Sequence, residues 1–434
     1  MTSLSSRNLY TIGWICALPL ERTAAISMLD EEHRRPRDFE QSRSDTNSYA
    51  WGNIGAHNVV IASLPVGEYG LASAAGAAIS LLLSFPEVRF GLMVGIGAGI
   101  PGRSADVRLG DVVVSRPQGR SGGVVQYDFV KAIQGGVLQR MGALDSPPRV
   151  LLNAVAAMQA QHARQPSHIP RFLNEMITRN PIMAQPQQGL PGYTYQGSSN
   201  DRLFVATYPH SQGDSCDTCD PTQQVQRTTR NSTDPQIHYG LIASGNTLIK
   251  DAAARSTLVS QTGEDCICFE MEAAGLMNQF PCLVIRGICD YADAHKNDRW
   301  QRYAAATASA YAKELFEYIP VQGVSTASGM EALERSSQRI ALDVVNVGDI
   351  RDDSSWTKRT DGTLQCWERR VGFEQEFTEP PMVITALRAI GAAPSRQRSV
   401  GWANVDRSGF TIRFWAESDH GIGNMSASWF AVGR

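Results

Sequence analysis

Two different hydrophobic rhythms run along this 434-residue chain, and each points to a different class of fold. Up to about residue 320, apolar runs of β-type residues alternate with stretches whose apolar positions recur at helical spacing. The runs 11–16, 59–64, 90–96, 111–115, 239–243, 266–269 and 282–288 are predicted strands, and 20–29, 71–84, 150–161, 270–279 and 302–318 are predicted helices. Strands and helices in alternation build an α/β sheet with helices on its faces. Beyond residue 344 the rhythm changes. Phe410-Thr-Ile-Arg-Phe-Trp alternates residue by residue, and short runs at 373–377, 383–387, 400–405 and 426–432 are separated by Pro380-Pro381, Ser408-Gly409 and the Gly-rich 421–423. Short strands with turn signals between them predict an all-β sandwich.

Residue usage divides the chain at the same place. Seven of the eight Cys lie before residue 330 and five of the eight Trp lie after it, so two separate cores are expected. The Ser-, Thr- and Gly-rich stretch around 321–340 reads as a linker between a domain at 8–320 and a domain at 344–434. Within the first domain, 165–235 breaks the rhythm with many Pro, Gln, Ser, Thr and Asn, and reads as a long surface insertion.

Charge excludes several roles. With 43 acidic and 40 basic side chains the net charge is −3, which leaves no basic excess for nucleic acid and no acidic tail. The N-terminus lacks the basic-then-apolar layout of a signal peptide, and the longest apolar run, 71–83, is too short to span a bilayer. A cytoplasmic protein without nucleic-acid or membrane partners is expected. Cys16, Cys266, Cys268, Cys282 and Cys289 then read as reduced core thiols.

Three carboxylates stand at the ends of apolar strands, where an α/β fold opens its binding crevice. Glu21 follows Pro19 in a first helical turn, Glu272 sits in Cys268-Phe-Glu-Met-Glu-Ala-Ala-Gly, and Asp290 ends Leu283-Val-Ile-Arg-Gly-Ile-Cys-Asp. Singly, each has a structural explanation as a helix-end or turn cap. Together they form a candidate catalytic set.

Three segments in order, Gly240-Leu-Ile-Ala-Ser-Gly-Asn-Thr-Leu-Ile, Phe269-Glu-Met-Glu-Ala-Ala-Gly and Val284-Ile-Arg-Gly-Ile-Cys-Asp-Tyr-Ala-Asp, carry a recognisable signature. With Ile12-Gly-Trp-Ile-Cys-Ala-Leu-Pro-Leu-Glu and Gly95-Ile-Gly-Ala-Gly-Ile-Pro-Gly, they make residues 8–320 resemble the purine nucleoside phosphorylase and methylthioadenosine/S-adenosylhomocysteine nucleosidase superfamily, in its fungal subtype. The resemblance implies a three-layer α/β/α domain with a mixed central sheet. It also implies that Asp290 protonates a purine leaving group, with its pKa raised by burial, while Glu272 holds the ribose and stabilises its cationic transition state. Met271, Glu270, Leu248, Ile249, Asn246, Phe269, Gly97, Ala98 and Arg286 are implied substrate-binding residues.

The nucleophile follows from departures within that pattern. Phosphorolytic members carry an Arg after the first strand and another before the Gly-rich segment; here those positions read Ala17-Leu-Pro-Leu-Glu and Met93. Glu21 stands where nucleosidases keep a water-activating Glu, so hydrolysis to free base and ribose is expected, and phosphorolysis or non-catalytic nucleoside sensing are the alternatives. Base preference and the 5′ group stay open, because Arg22, Arg103 and Arg286 could meet a 5′-phosphate. No cofactor is implied: Gly95-Ile-Gly-Ala-Gly lacks dinucleotide spacing. Nor is a metal, since Cys216-Asp-Thr-Cys219, with His210 and His238 near it in sequence, is a single half-motif that reads better as a redox pair or two exposed thiols.

From about 344 to 433, Asp352-Asp-Ser-Ser-Trp, Phe377-Thr-Glu-Pro-Pro-Met-Val, Asn404-Val-Asp-Arg-Ser-Gly-Phe and Met425-Ser-Ala-Ser-Trp resemble the H-type lectin domain. That resemblance implies a β-sandwich that binds a glycan or a partner, with Asp353, Arg398, Trp415 and Glu417 as candidate contacts. Both resemblances imply a homo-oligomer.

Overall fold

The structure is a computed structural model. It describes residues 2–102, 105–133, 137–187, 189–210 and 215–321, and then 344–350, 357–361, 364–372, 382–389, 398–406, 408–416 and 426–433. The chain divides into two compact units, Met1–Thr326 and Ala327–Arg434. The segment read as a linker lies outside the described residues from 322 onward.

The first unit is built on an 11-stranded mixed sheet. Ile12–Cys16 lies between His57–Ser63 and Phe90–Gly99, parallel to both. Beyond Phe90–Gly99 the sheet curls on itself. Cys266–Glu270, Ile237–Ser244, Val112–Ser115 and Cys282–Asp290 follow in order, and the last of these pairs back onto Phe90–Gly99 in parallel. Half of the sheet therefore closes into a small barrel, whose strand ends gather residues far apart in sequence.

Alternation along the strands sends successive side chains to opposite faces. Ile12, Trp14 and Cys16 join one core with Ala24 and Met28 of the helix Pro19–Met28, Leu151 and Met158 of Arg149–His162, and Tyr311 and Leu315 of Gln301–Phe316. Ile15, Val60 and Ala62 join the other with Ala74, Ala78 and Leu81 of Leu71–Ser84. Helices on both faces of a mixed sheet make the three-layer α/β/α arrangement. The Ala-rich helix Gln301–Phe316 lies so close to the barrel that a Cβ on Gly287 would fall on the carbonyl oxygen of Ala304.

Several sequence expectations are corrected. The helix expected at 270–279 is absent: the strand Cys266–Glu270 runs into a short 3₁₀ turn, Ala273–Gly275, because Glu270 accepts the Glu272 and Ala273 amides and stops a regular helix from starting. The insertion at 165–235 is not wholly peripheral. Its helix Ile169–Arg179 buries Ile169, Phe172 and Met176 in the main core. The helix Ala252–Thr262, capped by Asp251 through the amides of Ala253 and Ala254, was also unanticipated. Cys16, Cys266, Cys268, Cys282 and Cys289 are buried without disulfides, as expected of core thiols.

Among its described residues the second unit is all-β. Ser426–Gly433 pairs antiparallel with Val344–Ile350 and Met382–Ala389 in a three-stranded sheet. Thr357–Asp361, Leu364–Gly372, Gly409–Ala416 and Arg398–Asp406 form a four-stranded antiparallel sheet in that order. The strand expected at 373–377 lies outside the described residues. Among the described residues, no helix is long and apolar enough to cross a membrane.

Candidate active site

A cavity of about 300 Å³ opens at the barrel end of the sheet, and Glu21, Glu272 and Asp290 all line it. Each arrives by a different local device. Glu21 sits in the first turn of its helix, after Pro19, whose missing N–H costs nothing there. Its carboxylate accepts the amides of Ala17 (2.7 Å), Leu18 (2.9 Å) and Ile96 (2.7 Å), so it ties the helix start to the Gly-rich strand. Burial pushes its pKa above the usual value, against the pull of Arg286 and those amides.

Asp290 is placed by a bulge. The ladder between Cys282–Asp290 and Phe90–Gly99 slips between Ile288 and Asp290, and such an extra residue re-aims the side chain beyond it. Two residues on, Ala292 takes φ 51°, a left-handed conformation, and its amide donates to Asp290 Oδ1 at 2.8 Å. Asp290 Oδ2 accepts from Lys296 Nζ at 2.8 Å and from the Cys289 thiol at 3.1 Å. Asp290 is thus not an isolated buried acid but half of an ion pair. Burial alone would lower the Lys296 pKa; the charge of Asp290, its hydrogen bond and the neighbouring Cys289 and Asp298 together more than reverse that.

Glu272 belongs to a charged cluster around Arg286, which is 1 % exposed. The Arg286 Nη2 group bonds Glu270 and lies 3.3 Å from Glu272 Oε2, while Nη1 donates to the Ile96 carbonyl at 3.2 Å. One guanidinium faces three buried carboxylates, Glu21, Glu270 and Glu272, so full ionisation of all three would leave uncompensated charge. Burial pushes the Glu272 pKa up to about 7; Arg286 opposes this, and Glu270 and Glu21 add to it. Gly95 is what lets these groups meet, because a Cβ there would fall on the Glu21 carboxylate and 2.6 Å from Arg286 Nη1.

Of the residues implied by the resemblance, Met271, Glu270, Leu248, Ile249, Phe269, Gly97 and Ala98 line the same cavity. Asn246 and Arg286 do not. The Asn246 side chain accepts the Leu71 amide at 3.1 Å and fastens the start of Leu71–Ser84. Arg286 is spent on the carboxylates, so it does not reach a 5′-phosphate. Arg22 is turned to the Ser48 carbonyl and the Ser63 hydroxyl, and Arg103 lies outside the described residues. Met93 is fully buried in the core. Sequence reasoning missed Lys296, whose signal was its place six residues after Asp290 on the same loop, and Tyr69, Lys250 and Gln301, which also line the cavity.

One of the two readings offered for the insertion's cysteines, a pair of exposed thiols, is corrected. Cys216 and Cys219 are buried, not exposed. His238 does not approach them: it bonds Asp111 Oδ2 at 2.9 Å, a carboxylate that Arg230 also grips with two hydrogen bonds of 2.7 Å.

In the second unit, residues 368–432 match the family of H-type lectin domains. The chain carries an H-type lectin domain. In the lectin domain's four-stranded sheet, Arg398 stands opposite Ala416 and Ser399 opposite Trp415 in backbone register. Asp353 and Glu417 lie outside the described residues.

The chain is also 45% identical over 317 residues to a nucleotide-binding leucine-rich repeat (NLR)-like protein of Hyaloscypha variabilis; the match takes in 73% of this chain and 30% of that protein. The chain thus spans 30% of the length of this relative. Among solved structures it is similar to the apo 5′-methylthioadenosine nucleosidase of Arabidopsis thaliana, at 10% identity, 73% of this chain, 98% of that chain and TM-score 0.39. An MTA/SAH nucleosidase gives 12% identity, 73% and 98% coverage and TM-score 0.40. The purine nucleoside phosphorylase of Schistosoma mansoni in complex with adenosine gives 13% identity, 72% and 91% coverage and TM-score 0.32.

Proposed function

We propose that the first unit hydrolyses the N-glycosidic bond of purine nucleosides, releasing free base and ribose. The observation that carries this reading is the convergence of Glu21, Glu272 and Asp290, from three separate segments, on one cavity. Breaking the bond between the ribose anomeric carbon and the base leaves positive charge on the sugar and negative charge on the base, and each needs its own partner. Glu272, ionised, holds the ribose hydroxyls and faces the cation. Asp290, protonated in the substrate complex, delivers its proton to the base and is left as the carboxylate that Lys296 pairs with. Glu21 takes a proton from the attacking water, and burial, which strengthens it as a base, suits it to that task. Met271 packs under the sugar, and Leu248, Ile249 and Phe269 line the base.

Water is favoured over phosphate because a phosphate dianion needs cationic donors, and the cavity offers few. Glu21 would repel a dianion, Arg286 is engaged by carboxylates, Lys296 is paired with Asp290, and Met93 is core. The test is incubation of the full chain with adenosine, inosine, guanosine and their 5′-phosphates, with and without phosphate, followed by chromatography of the products. Free ribose independent of phosphate is expected; ribose 1-phosphate formed only with phosphate overturns hydrolysis. No base release from any substrate supports a second reading, a nucleoside sensor, which the engagement of Asp290 by Lys296 and of Glu272 by Arg286 favours.

For the lectin domain we propose recognition of a glycan or a protein partner through Asp353, Arg398, Trp415 and Glu417. A glycan array tests this, and binding that survives Arg398→Ala removes the proposed site.

A further inference from the structure

From the sequence, the Cys216-x-x-Cys219 pair lacks a second half. The fold supplies one. His210, from within the insertion, and His295, from the loop following Asp290, come to the pair, and the four ligand atoms all lie within 4.8 Å of one another. We infer that His210, Cys216, Cys219 and His295 bind a zinc ion that clamps the insertion to the loop following Asp290.

Two sulfurs and two imidazole nitrogens are a donor set that zinc takes in tetrahedral geometry, with bonds of about 2.3 Å to sulfur and about 2.0–2.1 Å to nitrogen. In a tetrahedron of those bonds, sulfur and nitrogen stand about 3.6 Å apart. His295 Nδ1 lies 3.8 Å from Cys216 Sγ and 3.7 Å from Cys219 Sγ.

The protonation of His295 agrees independently. Its Nε2 lies 3.2 Å from the Tyr208 carbonyl oxygen, which can only accept, so Nε2 carries the hydrogen and Nδ1 presents a lone pair to both sulfurs. Metal-bound histidines are oriented in this way, by donating the other ring N–H to a carbonyl or carboxylate. The Cys219 amide donates to the Cys216 carbonyl at 3.1 Å, a tight turn that turns both thiols to one side.

The surroundings suit a closed, structural site. Phe204 stacks on the His295 ring at 4.0 Å between centroids, and His210 meets that ring edge-on at 5.1 Å. Phe204, Cys216, Cys219 and Tyr208 form a small satellite cluster, separate from the two main cores. So small a cluster buries little apolar surface, and four metal bonds would join the insertion to residue 295 far more firmly. With four protein ligands no coordination position is left for substrate, so the ion is a clamp and takes no part in glycosidic cleavage. Its consequence for the cavity is positional: His295 is followed by Lys296, which grips Asp290.

The test is elemental analysis of the untagged full chain, purified under reducing conditions and dialysed against a weak chelator. About one zinc per chain is expected, with X-ray absorption reporting two sulfur and two nitrogen ligands. The double variant Cys216→Ser/Cys219→Ser and the single variant His295→Gln should each lose that zinc. Because the variants could fail to fold, the absorption spectrum of the wild type decides by itself. Wild-type protein that retains no zinc and takes up none when zinc is supplied overturns the inference. So does a Cys216–Cys219 disulfide under those reducing conditions, or zinc undiminished in a folded double variant.

Discussion

Lys296 Nζ lies 2.8 Å from Asp290 Oδ2, so the carboxylate that faces the cavity is held in an ion pair by a residue of its own loop. The Ala292 amide on Oδ1 fixes the other side of the same carboxylate. If Asp290 is the proton donor, Asp290→Asn keeps the shape and lowers kcat for base release by about 10²–10⁴-fold. Lys296→Met should cost about tenfold, mainly in kcat, by leaving Asp290 without its positioning partner. Steady-state kinetics on the best substrate of the panel check both, and unchanged base release by Asp290→Asn would falsify the assignment.

Glu272 sets a pH dependence whose sign is fixed. Only its ionised form stabilises a cationic sugar, so kcat/KM should rise with pH through about 7. Between its ordinary 4.5 and about 7, the folded chain keeps a proton that the unfolded chain has lost, so this group's contribution to stability falls as pH rises across that window. Glu272→Gln should flatten both dependences and lower kcat by about 10²-fold or more. A pH–rate profile and a pH series of thermal midpoints for both proteins decide it; an unshifted acid limb in the variant assigns the limb to another group.

Arg286 is the counter-charge of the site, and its loss should be felt in folding before chemistry. Arg286→Met leaves Glu270 and Glu272 buried without their cation and should cost about 3–5 kcal/mol in denaturant unfolding. Adding Glu270→Gln should recover part of that loss. Strictly additive costs of the two substitutions would show that the pair does not interact.

Gly95 separates site geometry from stability. Gly95→Ala places a methyl against the Glu21 carboxylate and Arg286 Nη1, and the resulting shift should destabilise the chain by about 1–3 kcal/mol while lowering kcat more than tenfold. Full activity in this variant would mean that Glu21 can move without consequence, which contradicts a water-activating role.

Much of this was legible in the sequence because it is written in local patterns. Apolar runs at strand and helix periods placed Ile12–Cys16, Leu71–Ser84 and Cys282–Asp290, and the switch to period-two alternation marked the lectin domain's strands. The ordered motifs likewise marked Glu21, Glu272 and Asp290 as one set. What misled were residues whose partners are distant. Glu270 and Met271 read as a helix start because nothing local shows Arg286, sixteen residues on, drawing the Glu270 carboxylate inward.

By its own periodicities the chain determined two folded units and their classes, while strand ends and ordered motifs marked the three carboxylates of the candidate site. The tertiary structure decided what each charge faces: Arg286 against glutamates, Lys296 against Asp290, His238 against Asp111 and His295 against the cysteine pair. The physical reason is that apolar burial follows a local period, whereas a hydrogen bond or ion pair depends on which distant atom arrives within about 3 Å, and only the closed barrel with its insertion fixes that.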